Sequence, residues 1–411
     1  MKFSQISRIT KATVLSLAIV LGMSACSEDY TIDFLYVIGE RANPGTISAY
    51  KVDNQSGSLT QIVDSPFSSG GGNPVGVVVA PNEKVLFVIN QQTSSVVPFG
   101  IGTDGKIYAQ STYTLAAGAT LPTAAAITPD GAYLVVAYTY QPGYPVAGTG
   151  PGAIVVFPVT YLYGSNGGIT GATLGNPVSM GAASYFPVGV SPVSVGISPD
   201  PTPGVALTTD YLYVVEQTAA QGVVLTLALN PKTGVLTSVA STAAGVTPTQ
   251  VAEDPTGRFV YITDQTANQL IGYLVQSNGS LSPMLNGPFS TSLKPEGIVA
   301  DPRGKYLYVT NYNSSTITGY ALDQATGTPS GVFSNGTTTS GTGPNCITIE
   351  PSQGIYLYTS NFVDNSVSGV QMDPHTGALV NVQNTPFGAA GSPTCVVAVA
   401  ANQHAYQAVQ P

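Results

Sequence analysis

Residues 295–329 read PEGIVADPRGKYLYVTNYNSSTITGYALDQATGTP, and their order decides the fold. Pro295 opens a short apolar run, Ile298 to Ala300, which Pro302-Arg303-Gly304 turns. A second run, Tyr306 to Thr310, centres on an aromatic residue, and the polar stretch Asn311 to Ser315 separates it from a third, Ile317 to Leu322. Thr326-Gly327 then supplies a turn residue that can take positive φ at little cost, and a fourth strand follows. Short β-prone runs bounded by such turns predict an antiparallel meander of four strands.

The same order recurs along the chain. The aromatic strand reappears as Leu35-Tyr36-Val37, Leu86-Phe87-Val88, Leu212-Tyr213-Val214, Val260-Tyr261-Ile262 and Leu357-Tyr358-Thr359, with Leu134-Val135-Val136 as a degenerate copy. A Pro opens the preceding strand at 74, 122, 192, 248, 295, 344 and 393, mostly 47 to 49 residues apart. Seven units of four short strands predict an all-β, seven-bladed β-propeller, because a lone four-stranded sheet cannot cover both its apolar faces and a closed ring of seven can. The chain begins at an aromatic strand, Phe34 to Val37, and ends with a surplus Pro-strand, Thr394 to Val399. Pairing the two predicts closure within blade one. Ala405-Tyr406-Gln407 is left without a place in this scheme.

Tyr308-Val309-Thr310-Asn311, with looser copies at Phe87 to Asn90, Tyr261 to Asp264 and Tyr358 to Asn361, resembles the seven-bladed lactonase propellers and the YVTN-repeat propellers of bacterial envelopes. The resemblance covers residues 34–411. It implies the propeller fold and, as an activity, opening of 6-phosphogluconolactone or cyclisation of muconates. The Asn that ends each aromatic strand reads as a turn cap.

The first residues read as an export leader. Lys2, Arg8 and Lys11 precede an apolar stretch, Val14 to Gly22, and Met23-Ser24-Ala25-Cys26 resembles a lipoprotein cleavage site whose Cys becomes the acylated N-terminus. The organisation expected is a signal peptide over 1–25, a tether over 26–33 and the propeller over 34–411. An extended tether of that length reaches about 26 Å, so the folded part would face the periplasm or cell exterior close to its membrane, held through the lipid only.

Charged residues are 8% of the 411, and the formal charge is −9, or near −12 once the three leader cations are gone. That balance argues against nucleic acid. With 23 Tyr and 12 Phe the chain has ample core material, so disorder is excluded as well.

Strand order assigns residues to faces. Turns between first and second strands, and between third and fourth, lie at the bottom; the other connections lie at the top, where propeller ligands usually sit. Arg258, Arg303, Lys305, Lys84, Lys106, Lys232, His375 and His404 fall at bottom turns. The top keeps Arg41 and Lys294 as cations, with Glu40, Glu216, Asp264 and Glu296 as acids. No His maps to the top, which argues against a His-based metal site, a Ser-His-Asp triad or a cofactor held there. Blade three carries two top insertions, 139–152 and 173–190, holding Tyr140, Tyr144, Tyr185 and Phe186. Cys346 and Cys395 each follow a blade-opening Pro by two residues. Equivalent positions point the same way round the ring, and sheets pack about 10 Å apart, so two free buried thiols are expected.

Two functions follow. The first is a monomeric, lipid-anchored scaffold that binds an envelope protein, a glycan or a small ligand through the blade-three aromatics. The alternative, carried by the resemblance, is a lactonase-type hydrolase or cycloisomerase, with Glu216, Asp264 or Glu296 as base and Arg41 or Lys294 as its electrophilic partner.

Overall fold

The computed structural model describes residues 30–40, 43–115, 118–141, 152–199, 209–218, 220–331 and 337–401. Cys26, Arg41, Tyr144, His404 and Tyr406 lie outside the described residues. Seven antiparallel sheets form a seven-bladed propeller, and in blades two to seven the strands follow chain order from inner to outer. Blade six consists of Pro295–Ala300, Tyr306–Asn311, Thr316–Leu322 and Pro329–Gly331. Its second strand is buried along its whole length, which is why Tyr306-Leu307-Tyr308-Val309 reads as a continuous apolar run rather than alternating.

Closure follows the expected seam. The C-terminal strand Pro393–Ala400 is the innermost strand of blade one and pairs antiparallel with Thr31–Gly39, setting Tyr36 opposite Val397 and Ile38 opposite Cys395. Asp33 is buried at that seam beside Glu350. Burial and the neighbouring Glu350 carboxylate push its pKa up, the direction that favours its protonated form.

The fourth strand differs from expectation. In six blades it is broken into two short pieces that both pair with the third strand. In blades one, five and seven the gap holds Pro66, Pro288 or Pro386, and a proline has no N–H to give to the ladder. Blade four has no proline there, and Leu236–Ala243 runs unbroken over eight residues.

Adjacent blades are stapled by the repeat residues themselves. Tyr308 Oη donates to the carbonyl of Gly377 in the next blade at 2.7 Å. Tyr36 reaches Gly105, Tyr261 reaches Gly327 and Tyr358 reaches Gly57 in the same way. Gly377 sits at φ +72°, with the Tyr306 ring where its Cβ would be, so the turn needs a glycine both for its backbone and for the ring above it. The aromatic and the Gly turn of the repeat are two halves of one inter-blade contact.

Candidate functional site

The inner strands converge on the axis and enclose a cavity of about 280 Å³ at its top. Its rim carries the residue following each blade-opening Pro: Val75, Thr123, Val193, Thr249, Glu296, Asn345 and Thr394. Most of this ring serves the fold. Thr123 donates to the Pro192 carbonyl of the next blade at 2.7 Å, Thr249 to Pro295 at 3.2 Å, Asn345 to Pro393 at 3.0 Å and Thr394 to Pro74 at 2.7 Å. Where Val75 and Val193 cannot donate, Gln91 and Gln217 reach across instead, to Pro122 and Pro248. Six of the seven Pro carbonyls are thereby bonded. Among the described residues no side chain donates to the seventh, Pro344, and the blade facing it contributes Glu296.

Glu296 is therefore the departure in the ring, and it is the one ionisable group among the described residues lining the cavity. Its carboxylate pairs with Lys294 Nζ at 2.8 Å, both side chains being partly exposed. Lys294 also lies 4.1 Å from the centroid of the Tyr312 ring, a cation–π contact that holds the ammonium over the rim. Its φ of +57° is shared with Asn73, Leu121, Ser191, Gly343 and Ser392 at the same place in other blades. The fold imposes that conformation, and in blade six it presents a cation. An ammonium has three donors, so pairing with Glu296 leaves others for a ligand.

The next ring position down points towards the following blade. Ser194 Oγ accepts from Val251 N–H, and Gln250 Oε1 accepts from Ile298 N–H. At Gly297 a Cβ would come within 2.9 Å of Cys346 Cα. Here the expectation of two free thiols is corrected: Cys346 and Cys395 form a disulfide. Convergence at the axis brings the Cα atoms to 5.0 Å, inside the range a disulfide spans, and the bonded sulfurs mean that the two side chains face each other. The spacing of packed sheets holds farther out along the blades.

The remaining candidates do not share this site. Asp264 is buried and accepts the backbone N–H groups of Val246, Thr247, Thr266 and Ala267, so its carboxylate is spent on the turn and the incoming link. Asn311 and Asn361 hold the same position with amides, bonded to Thr318 and Ser368. Glu216 is the blade-four counterpart. It is 3% exposed, accepts the Gly189 N–H at 2.7 Å, and burial raises its pKa to about 7. It belongs to the link from blade three, not to the cavity lining, so Glu216 and Glu296 do not converge. Of the blade-three aromatics, Tyr185 packs on the core between blades two and three and Phe186 on that between three and four. Tyr140 is half-buried, opposite Thr120 in the ladder. Sequence reasoning missed the inter-blade ring, although its signal was present: aligning the seven residues after Pro shows Glu296 alone as a carboxylate.

The chain matches the family model described as Lactonase, 7-bladed beta-propeller over residues 29–138 and 199–394. No curated protein sequence matches it. Among solved structures it is similar to a putative 6-phosphogluconolactonase from Bacteroides fragilis, at 18% identity and a TM-score of 0.65, covering 91% of this chain and 99% of that one. A putative 6-phosphogluconolactonase from Bacteroides uniformis gives 18% and 0.66, with 90% and 100% covered. A periplasmic gluconolactonase from Pseudomonas aeruginosa gives 19% and 0.66, with the same coverage. At such identities the likeness to solved structures speaks for the fold alone.

Proposed function

This chain belongs to the lactonase, seven-bladed β-propeller family, and we propose on that premise that it opens an unphosphorylated sugar lactone at the top of its axial channel. The observation that carries the reading is Glu296, the single ionisable group among the described residues of a cavity lining that otherwise serves inter-blade bonding. The family and the gluconolactonase-named neighbours favour this chemistry over the scaffold reading. The aromatics on which the scaffold rested are in part engaged within the blades, as Tyr185 and Phe186 are.

The chemistry follows from the pair. Glu296 takes a proton from water as the water oxygen attacks the lactone carbonyl carbon. Lys294 stabilises the charge that moves onto the carbonyl oxygen. The tetrahedral intermediate collapses by breaking the ring C–O bond, and the departing oxygen receives the proton from Glu296. One lactone and one water give one open-chain hydroxy acid. A cavity of about 280 Å³ lies just under the ~300–1,000 Å³ usual for small-molecule sites, which suits one sugar ring. The described lining residues include no Arg or Lys, and rim Lys294 is already paired with Glu296. Among the described residues the site offers a phosphate no cation beyond Lys294, which already serves the Glu296 carboxylate and the lactone carbonyl, and an unphosphorylated substrate is preferred on that ground.

Location is part of the same proposal: cleavage before Cys26 and its acylation would place the propeller in the cell envelope, where an unphosphorylated lactone is the expected form. Fatty-acid labelling of the protein that is lost on Cys26→Ser supports this, and an unlabelled, freely soluble mature protein contradicts it. For the activity, glucono-1,5-lactone and its 6-phosphate are compared above their spontaneous rates. The reading expects faster opening of the unphosphorylated lactone and a loss of about 10²–10⁴ in rate on Glu296→Gln.

A further inference from the structure

A second cleft, of about 810 Å³, lies at the bottom of the propeller between blades two and three. Its far wall is the hairpin between the third and fourth strands of blade three, which is longer on its third strand than in the other blades. The third strand of blade three, Ala153–Tyr163, is eleven residues long against seven in blade six. The extra length pairs Leu162 with Gly171 and Tyr163 with Ile169. This hairpin falls inside the interval 139–198 that the family model leaves unmatched.

The hairpin is packed down rather than dangling. At Gly100 of blade two an added Cβ would come within 1.9 Å of the Thr170 carbonyl oxygen, so the two backbones lie in direct contact. Tyr161 Oη donates to the Gly131 carbonyl at 2.9 Å and fixes the hairpin's base.

Tyr108 and Tyr163, both lining the cleft, are 55% and 66% exposed. They are the two most exposed tyrosines among the described residues. Around them stand Asn82, Lys84, Asn166 and Thr170. Aromatic faces stack on the apolar C–H faces of pyranose rings, while amides, hydroxyls and an ammonium bond the hydroxyl groups at the ring edge. We propose that this cleft binds a neutral oligosaccharide of two or three sugar rings, as a site separate from the axial channel. Its volume lies near the top of the small-molecule range, roomier than one ring requires. A neutral ligand also suits a chain of formal charge −9.

The test uses the full propeller and three neutral probes, maltotriose, cellotriose and triacetylchitotriose, followed by titration calorimetry. At least one is expected to bind with little dependence on salt. Tyr108→Ala and Tyr163→Ala should each weaken it about three- to tenfold, the amount an aromatic contact supplies. Both side chains are exposed, so the variants should keep the parent melting temperature and the parent rate on glucono-1,5-lactone. Three results overturn the proposal. One is no binding of any probe by the folded protein. Another is binding untouched by both tyrosine variants but lost on Glu296→Gln, which assigns the sugar to the axial mouth. The third is concentration-dependent self-association that Tyr163→Ala abolishes, which makes the cleft an interface between copies.

Discussion

Blade six and blade three share one strand order and depart from the repeat in opposite ways. Blade six keeps its length and its staple, Tyr308 to Gly377, and changes a single ring residue to Glu296. Blade three alters its architecture. It has Val135 in place of the stapling tyrosine, an eleven-residue third strand, and an interval beyond the reach of the family model. A propeller tolerates both because its stability is distributed over junctions. Chemistry can thus be introduced by one residue at the axis, where seven strands already converge, whereas a new surface cleft needs a longer hairpin.

The largest effect expected outside the site concerns the disulfide one step below Glu296. It links the last complete blade to the closing strand across 49 residues. Cys395→Ser should cost about 2–4 kcal/mol, seen as a lower denaturant midpoint. An unchanged midpoint would mean that the hydrogen-bonded ring closes the propeller unaided. Next comes the staple. Tyr308→Phe leaves the Gly377 carbonyl unpaired in a buried junction and should cost about 1–3 kcal/mol. In blade three, Tyr133 Oη donates to the Lys232 carbonyl at an exposed site, and Tyr133→Phe should cost under about 1 kcal/mol. Equal costs would erase the contrast between the blades.

The smallest effect concerns the link leaving blade three, where Glu216 stands in place of the Asn311 of blade six. Burial raises its pKa to about 7 from the ordinary carboxylate value of 4.5. The folded state therefore holds the proton more tightly than the unfolded one. Stability from this group is complete below about pH 4.5 and is lost as pH rises through about 7. Glu216→Gln keeps an acceptor for Gly189 N–H and removes the titration. It should flatten melting temperature over that window, with a gain of about 1 kcal/mol at most near neutrality. A profile parallel to the parent's would place the titration elsewhere.

The fold was legible because its determinants are local and repeated. The opening Pro and the Gly turn recur in seven units and the aromatic strand in six, and each can be read without knowing its neighbour. The closing seam was equally legible, since a surplus strand at one end answers a missing one at the other. What the sequence hid are relations across junctions. The disulfide depends on how far strands converge at the axis, a distance no spacing encodes. In blades one, five and seven the break in the outer strand goes with where Pro66, Pro288 and Pro386 fall against a partner's ladder. Glu216, Asp264 and Glu296 look alike as top-face acids. Only their partners separate them: one N–H for Glu216, four for Asp264, and a rim lysine for Glu296.

Glu296→Thr tests the central claim most directly, because it writes into blade six the residue found at 123, 249 and 394. The new hydroxyl can donate to Pro344 and complete the ring, as Thr123 does to Pro192. Lactone opening and thermal stability are then measured on the same preparation. The account predicts a rate lower by about 10²–10⁴ together with a stability equal to the parent's or higher by about 0.5–1.5 kcal/mol. A variant that melts as predicted and opens glucono-1,5-lactone at the parent rate would contradict it, and would remove Glu296 from the chemistry.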